Sequence, residues 1–374
     1  MDKAFVKLIN KNTSIVKLLA NYCDVLLRKS NKKVGKDNLE NELNNITRII
    51  NYIDDKDAFL MLYTRMFARR LINNVTVSDN NETFMISKLE EICGRVYTYK
   101  LRRMLEDMEV SKDLNDKFKT HLDSSQEAVD IDFSVKVVSS GIWPYHQSNQ
   151  SSIPWELERH IKQFTVFYHS QYNGRKLYWM LNQSQGEIVT DCFQTQHILQ
   201  VSTLQMSVLL AFNSKDRWTL DTLASTTHID MELLRQVVRT LLEFRLLSGP
   251  NPETVDIEEE APGSTMVSLN YGYTDRKTRV NINIPVKKGQ SYKKDMRAHK
   301  YDKERKHMIE AVIVKIMKVR KTLKHDQLLT EVLDQVKTRF HPSVVMVREC
   351  IQFLIDKEYI AKDYSQEDSY TYIP

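Results

Sequence analysis

Hydrophobic side chains in residues 1–130 recur at intervals of three and four positions. Leu39, Leu43 and Ile46 form one such series, and this spacing places them on a single helical face. Polar stretches separate successive series of this kind. The first third of the chain therefore predicts a bundle of amphipathic helices.

From residue 131 the pattern changes to alternation between apolar and polar positions. Phe133, Val135 and Val137 alternate with polar residues, which is the period of a half-buried strand. Further strand-like patterns occur at 176–181, 187–193 and 278–285. A helical pattern at 154–172 lies between the strand that begins at 131 and the one at 176–181. These segments predict a sheet that pairs distant parts of the chain.

Residues 202–249 lie between the last two strand patterns, and their own pattern predicts a separate compact group of helices and a strand. The pattern predicts a helix, a second helix, a third helix and a strand. Thr219 and Asp230 precede the second and third helices, where their side-chain oxygens can accept from unpaired first-turn amides. This order is typical of a winged helix.

Residues 301–374 repeat the same order. Predicted helices at 302–321, 326–339 and 342–356 precede a two-stranded wing. The chain is thus predicted to be mainly α with a smaller α/β part. We expect a helical bundle at 1–130, an α/β domain at 131–286 with a winged helix inserted at about 202–249, a linker at 287–300, and a C-terminal winged-helix domain at 301–374.

Composition supports a multidomain helical protein. A chain of 374 residues exceeds what one hydrophobic core usually supports. Only 9 Gly and 8 Pro argue against sandwiches and barrels, which use these residues in many tight turns. The apolar runs are too short to cross a bilayer, and the first residues do not resemble a secretory signal. We therefore expect no membrane partner and a location in the cytoplasm and nucleus.

The residues that carry catalytic or metal chemistry do not occur at functional spacings. The four cysteines are far apart in sequence and form no CxxC pair, so we expect buried reduced thiols. The chain has no glycine-rich phosphate loop and no HExxH motif. These observations predict no metal, no cofactor and no catalytic activity.

A winged helix also suggests nucleic-acid binding, because its third helix can enter the major groove. In the last domain that helix carries Arg348, Glu349, Asp356 and Lys357, whose charges sum to zero. Such a helix offers no basic stripe for phosphates. A winged-helix nucleic-acid-binding protein is the alternative interpretation, and docking to other proteins is favoured over it.

Three segments resemble the cullin family, most closely the cullins of Skp-cullin-F-box ubiquitin ligases. They are YIDDKDAFLMLYTRMFARRL at 52–71, VSKDLNDKFKTHL at 110–122 and IEAVIVKIMKVRKTLKHDQLLTEV at 309–332. The last resembles the cullin segment that carries the lysine joined to a ubiquitin-like protein, and the matching position is Lys318. The resemblance runs from about residue 15 to the end, so the first helix is the part that it supports least.

The resemblance implies a non-catalytic scaffold subunit of a cullin-RING ubiquitin ligase. Its order would be a four-helix bundle, an α/β sheet interrupted by a winged helix, and a second winged helix. A RING-finger subunit, which carries its own zinc, would add a strand to the sheet by β-augmentation. The candidate contact residues are Phe133, Val135, Val137, Val280, Ile282 and Ile284.

The resemblance also implies partners that act at Lys318, namely a ubiquitin-like modifier with its conjugation machinery, and cullin regulators. Ile309, Ile313 and Ile316 form the apolar stripe of the predicted helix. Lys318 lies about 200° from Ile316 around the helix axis, at roughly 100° per residue, and should face solvent. The linker before this domain should tether it loosely, so that modification can shift its position.

A basic cluster on the bundle is a second candidate surface. Clustered positive charge raises encounter rates with acidic partners, such as the acidic tail of a ubiquitin-conjugating enzyme. Solvated loop lysines without a partner are the alternative interpretation. The six residues of this predicted basic patch are Arg28, Lys29, Lys32, Lys33, Arg69 and Arg70.

Overall fold

The computed structural model describes residues 2–11, 14–29, 36–125, 131–145, 153–249, 262–283, 290–337, 339–363 and 368–374. The chain divides into two compact units. One contains residues 1–115, 135–144 and 289–374, and the other contains residues 116–134 and 145–288. The mainly helical fold class with small sheets, a bundle and winged-helix parts is confirmed.

The described residues of the N-terminal part of the chain form six helices. They are α1 (Asp2–Asn10), α2 (Ile15–Leu26), α3 (Lys36–Asn51), α4 (Lys56–Ile72), α5 (Asp79–Cys93) and α6 (Arg95–Ser125). Asp55 caps α4 by accepting from the Ala58 N–H at 3.2 Å. Phe59, Tyr63 and Phe67 are fully buried along one face of α4. The helical periodicity of the sequence thus produces a packed apolar core.

Arg70 lies at the centre of this helical region and corrects the prediction of an exposed basic patch. Its guanidinium donates to Asp24 at 2.8 Å and to the two carboxylate oxygens of Glu82 at 2.8 and 2.9 Å, and its side chain is 0% exposed. A buried guanidinium needs such paired carboxylates, because an unpaired charge in a core is strongly destabilising. Arg70 therefore serves the core rather than an acidic partner.

The second unit contains a mixed sheet. After α7 (Trp155–Gln171) come a short 3-10 helix (Leu181–Gln183), β1 (Gln185–Thr190) and β2 (His197–Ser202). The strand β2 was not predicted, although Leu199 and Val201 alternate with Gln200. It pairs antiparallel with β1 and parallel with a strand from much later in the chain, at Arg279–Asn281. β2 is the central strand of this sheet.

An inserted winged helix follows β2. It contains α8 (Thr203–Ala211), β3 (Arg217–Thr219), α9 (Leu220–Thr227), α10 (Met231–Glu243), β4 (Leu247–Ser248) and β5 (Met266–Leu269). Thr219 caps α9 and Asp230 caps α10, as predicted. The sheet order is β3-β5-β4, so the wing includes β5 beyond the predicted limit at residue 249. The strand β6 (Arg279–Asn281) then returns to β2.

The C-terminal winged helix contains α11 (Gln290–Arg320), β7 (Thr322–Lys324), α12 (His325–Val336), α13 (Val344–Asp356), β8 (Ile360–Asp363) and β9 (Ser369–Tyr372). Because α11 begins at Gln290, residues 290–300 are helical rather than the predicted linker. This stretch has no Gly or Pro and is rich in Lys, Arg, Met and Ala, which are strong helix formers. Residues 287–289 lie outside the described residues.

Two arginines join this C-terminal winged helix to the start of α4. Arg305 donates to Asp55 at 2.6 Å and to Asp57 at 3.2 Å. The guanidinium of Arg339 lies 3.5 Å from the ring centroid of Tyr97. The main-chain carbonyl oxygen of Arg339 accepts from the Asp57 N–H at 3.2 Å. These contacts are mainly polar, unlike the apolar interior of the winged helix.

Candidate functional site

Lys318 lies on the exposed face of α11, as its position in the helix predicts. Ile313 and Ile316 are buried in the core of the C-terminal winged helix, whereas Lys318 is exposed. Its Nζ is 6.0 Å from the ring centroid of Tyr372 on the terminal strand β9. The amine is therefore accessible and is carried by a rigid helix.

A shallow groove adjoins Lys318 between α11 and α13. Its apolar part includes Val319 and Phe353, which are 75% and 43% exposed. Lysines give it a positive rim. The residues that line the groove are His307, Glu310, Ala311, Val314, Lys315, Lys318, Val319, Phe353, Leu354, Lys357 and Tyr359.

Residues 131–139, predicted as a strand, form no strand in the structure. Residues 135–139 are held instead by side chains of α6. The Val135 N–H donates to the Asn115 amide oxygen at 2.8 Å, and the Asn115 amide nitrogen donates to the Val135 carbonyl at 2.6 Å. The Val137 N–H donates to the Ser111 hydroxyl at 2.9 Å, and that hydroxyl lies 3.0 Å from the Val137 carbonyl. A helix thus takes the place of a neighbouring strand.

Asp107 extends this series by one helical turn. One carboxylate oxygen accepts from the Ser139 N–H at 2.8 Å, and the other accepts from the Ser139 hydroxyl at 2.8 Å. The Trp143 indole N–H also donates to Asp107 at 2.8 Å. Asp107 is buried, so these donors compensate the desolvation of its carboxylate. Sequence reasoning missed these residues, although polar side chains at 107, 111 and 115 share one helical face.

The predicted RING-contact residues fall in different environments. Val135 is buried and Val137 is half-buried. Val280 and Ile282 are buried in the core that includes the inserted winged helix, so their side chains cannot contact a partner directly. Their predicted role in strand addition stays a prediction, because β6 pairs with β2 along one edge only in the described sheet and strand addition uses main-chain groups. Ile284 lies outside the described residues.

Phe133 belongs to an aromatic cluster within the second unit. Its ring centroid lies 5.8 Å from that of His160, 6.2 Å from that of Trp179 and 6.5 Å from that of Phe164. Trp179 comes from residues 176–181, which were predicted as a strand. These residues form no strand, and the last of them, Leu181, begins the 3-10 helix. Sequence reasoning did not connect these aromatic residues, because they are distant along the chain.

Of the remaining basic-patch residues, two are exposed and unpaired with acids in the described structure. Lys29 and Arg69 are exposed, and Arg28 forms an ion pair with Asp24 at 2.5 Å. Lys32 and Lys33 lie outside the described residues. Burial lowers the pKa of Lys136 to about 8, and the positive charge of Lys29 is the smaller cause of this shift. A six-residue patch is therefore not present as predicted.

Family models match three parts of the chain. The cullin alpha solenoid domain matches residues 1–115, the cullin alpha+beta domain matches 137–273, and the cullin protein neddylation domain matches 304–366. The chain belongs to the cullin family. Lys318 and its groove fall within the segment that matches the neddylation domain.

Members of the cullin family are similar to the chain over its whole length. Cullin-1 of Caenorhabditis elegans is 37% identical over 386 residues, which cover 100% of this chain and 49% of the relative. Cullin-1 of Dictyostelium discoideum and Cullin-1 of Schizosaccharomyces pombe are each 37% identical, over 100% of this chain and 50% and 49% of the relative. The chain spans about half the length of the curated relatives it matches.

Three further properties of the described residues concern metal binding, membrane insertion and the cysteine thiols. No group of three or more His, Cys, Asp or Glu residues in the described ranges could hold a metal ion. No helix among the residues that the structure describes has the length and hydrophobicity needed to cross a bilayer. Cys23, Cys93 and Cys350 are buried free thiols, as expected, whereas Cys192 is exposed.

Proposed function

We propose that this chain is part of the non-catalytic scaffold of a cullin-RING ubiquitin ligase and that Lys318 accepts a ubiquitin-like modifier. The observation that carries the proposal is the exposed Lys318 on α11, within the segment matched by the neddylation domain. Conjugation machinery and cullin regulators would act at this site. We propose that it works in the cytoplasm and nucleus.

The chemistry required of Lys318 is simple. The neutral Nζ attacks the thioester carbonyl of a modifier carried by its conjugating enzyme. A C–N bond forms, the C–S bond breaks, and the proton lost by the amine leaves with the thiol. The scaffold supplies an accessible amine on a rigid helix, and positioning by the conjugation machinery supplies the rest of the catalysis.

The proposed scaffold also binds a RING-finger subunit by strand addition. Residues 135–139 are extended, and within the described chain their only main-chain partners outside the segment's own turn are side chains of α6. An extended segment with one unpaired edge can add a strand from a second protein. Lys29 and Arg69 remain candidates for attracting a ubiquitin-conjugating enzyme.

The test replaces Lys318 by arginine, which keeps the charge and helix propensity but lacks a primary amine that can form the isopeptide bond. Lys318→Arg should fold normally, bind the RING-finger subunit and show no modified band in a reconstituted modification assay. Lys315→Arg, on the same helix, and Lys321→Arg, one residue beyond the end of that helix, are matched controls and should be modified as the natural chain is. A modified band in Lys318→Arg, mapped by peptide mass spectrometry to another lysine, would refute the assignment.

A binding assay separates this function from the nucleic-acid alternative. The chain should capture a purified RING-finger subunit and should not bind duplex DNA at physiological salt. The third helix of the C-terminal winged helix supports this expectation, because Arg348, Glu349 and Asp356 together with the C-cap Lys357 sum to zero charge. Salt-sensitive DNA binding without capture of the RING-finger subunit would favour the alternative.

A further inference from the structure

Three lysines lie close together around the C-terminal end of α11. Lys315 and Lys318 are neighbours on the helix surface, since residues three apart are separated by about 5–6 Å between their Cβ atoms. Lys321 is the first residue beyond the helix. All three are exposed, and none pairs with a carboxylate within the described residues. A thioester brought to this surface therefore meets several amines, and the choice of Lys318 requires a physical cause.

The aromatic ring of Tyr372 distinguishes between these amines. The Nζ of Lys321 lies 5.3 Å from the ring centroid, and the Nζ of Lys318 lies 6.0 Å from it. The face of an aromatic ring attracts an ammonium group within about 6 Å, and the attraction weakens with distance. Lys321 is therefore the main partner of the ring, and Lys318 lies at the limit of contact. Within the described residues, Lys315 does not contact this ring.

Main-chain hydrogen bonds fix the position of Tyr372 on β9. Its N–H donates to the Lys321 carbonyl at 2.8 Å, and the N–H of the next residue, Ile373, donates to the Tyr359 carbonyl at 3.0 Å. In the sheet Tyr372 pairs with Ile360 of β8, and its side chain packs against the core of the C-terminal winged helix. The ring is thus ordered before it meets a cation, so little side-chain entropy is lost in the contact.

The main chain at the end of α11 separates Lys321 from Lys318. Lys321 has a φ of 67°, in the left-handed region, and its N–H donates to the Met317 carbonyl at 2.8 Å. A left-handed residue at this position turns the chain out of the helix. The following residues, Thr322–Lys324, form β7, which pairs with β9. Lys321 is therefore tied to the strand that carries Tyr372, whereas Lys318 remains on the helix surface.

We propose that Tyr372 is a specificity-determining residue for the modification, because its ring holds Lys321 and leaves Lys318 to reach the thioester. This inference rests on the proposed function and adds the residue that selects between neighbouring amines. Two ammonium groups repel each other, so the ring cannot hold both lysines equally well. At either lysine the transfer is the same: the C–N bond forms, the thioester C–S bond breaks, and the amine proton leaves with the thiol.

The first test measures the ratio of Lys321 to Lys318 modification by peptide mass spectrometry in a reconstituted modification assay. Tyr372→Ala should raise this ratio about two- to fivefold, which is the size expected of a cation–ring contact at an exposed site. Tyr372→Leu keeps an apolar side chain without an aromatic ring and should raise the ratio equally. Tyr372→Phe keeps the ring and should leave the ratio as it is in the natural chain. An unchanged ratio in both Tyr372→Ala and Tyr372→Leu would overturn the inference.

Lys315 is the internal control in the same samples, because it is exposed but does not contact the ring in the described structure. The ratio of Lys315 to Lys318 modification should therefore be equal in the natural chain and in all three Tyr372 variants. A structural disturbance of the whole winged helix would change access to every amine. If the Lys315 and Lys321 ratios rise together in Tyr372→Ala, the ring does not select between lysines and the inference fails.

The outcomes separate this inference from the proposed function. If the natural chain is not modified at Lys318, the proposed function fails. If it is modified there and the Tyr372 variants keep the natural ratio, only the inference about selection fails.

A measurement on the natural chain decides the inference if the variants do not fold, which their melting temperatures would show. The ring current of Tyr372 should shift the side-chain ε-methylene protons of Lys321 upfield in the NMR spectrum, and by more than those of Lys318. Equal shifts for the two lysines would show that the ring does not prefer Lys321.

Discussion

The two winged helices have the same topology but are anchored to their surroundings in different ways. Among the described residues of each, three helices pack on a three-stranded antiparallel sheet. The strand order is β3-β5-β4 in the inserted winged helix, called the inserted unit, and β7-β9-β8 in the C-terminal winged helix, called the C-terminal unit. The inserted unit shares one apolar core with β2 and β6, which contribute Leu199, Val201, Val280 and Ile282. The C-terminal unit has a core made of its own residues, from Ile309 to Tyr370.

The attachment of the C-terminal unit is instead polar. Arg305 and Arg339 contact Asp55, Asp57 and Tyr97, and none of these residues belongs to its apolar core. Separating a shared apolar core exposes large hydrophobic surface, whereas separated ion pairs are rehydrated by water. Among the described residues, the same fold is therefore anchored by a shared apolar core in one place and by mainly polar contacts in the other. We propose that modification at Lys318 breaks these polar contacts and shifts the C-terminal unit away from α4.

The largest expected effect comes from removing one leucine from each core. Leu241 and Leu328 are both 0% exposed. Leu241→Ala and Leu328→Ala should each lower the free energy of unfolding by about 2–5 kcal/mol. Leu241→Ala should also increase amide exchange in β2, because Leu199 shares its core, and Leu328→Ala should leave β2 unchanged. Equal loss of protection in β2 for both variants would contradict the separation of the two cores.

An intermediate effect is expected at the polar attachment. Arg305→Ala leaves Asp55 and Asp57 without this donor, and we expect the attachment to weaken by about 1–3 kcal/mol. Faster exchange of the Asp57 amide, which donates to the Arg339 carbonyl, would report it. Arg320→Ala is the control, because Arg320 pairs with Glu331 inside the C-terminal unit. If Arg305→Ala and Arg320→Ala change this exchange equally, the attachment does not depend on Arg305.

The smallest expected effect concerns the caps of the third helices. Asp230 accepts from the Glu232 N–H, and Ser343 accepts from the Met346 N–H, each at 3.2 Å. Asp230→Ala and Ser343→Ala should each cost about 1 kcal/mol. Differential scanning calorimetry should assign the first loss to the transition of the α/β core and the second to that of the C-terminal unit. A shift of both transitions by one substitution would show that the two units unfold together.

The local elements followed from the sequence because their signals are local. Apolar spacing specified the bundle helices and both winged helices, and the caps Thr219 and Asp230 occur where first-turn amides need acceptors. The exposure of Lys318 followed from its angle around α11 relative to Ile316. Each of these inferences needs only residues within a few turns of one another.

Features that depend on distant partners required the tertiary structure. Alternation at 131–139 identified an extended segment but could not show that α6, rather than a strand, would occupy one of its edges. Arg70 is indistinguishable in sequence from the exposed Arg69, and only the approach of Asp24 and Glu82 makes its burial possible. Periodicity specifies which face of a segment is apolar, but hydrogen-bond and ion-pair partners are specified by which segments meet in space.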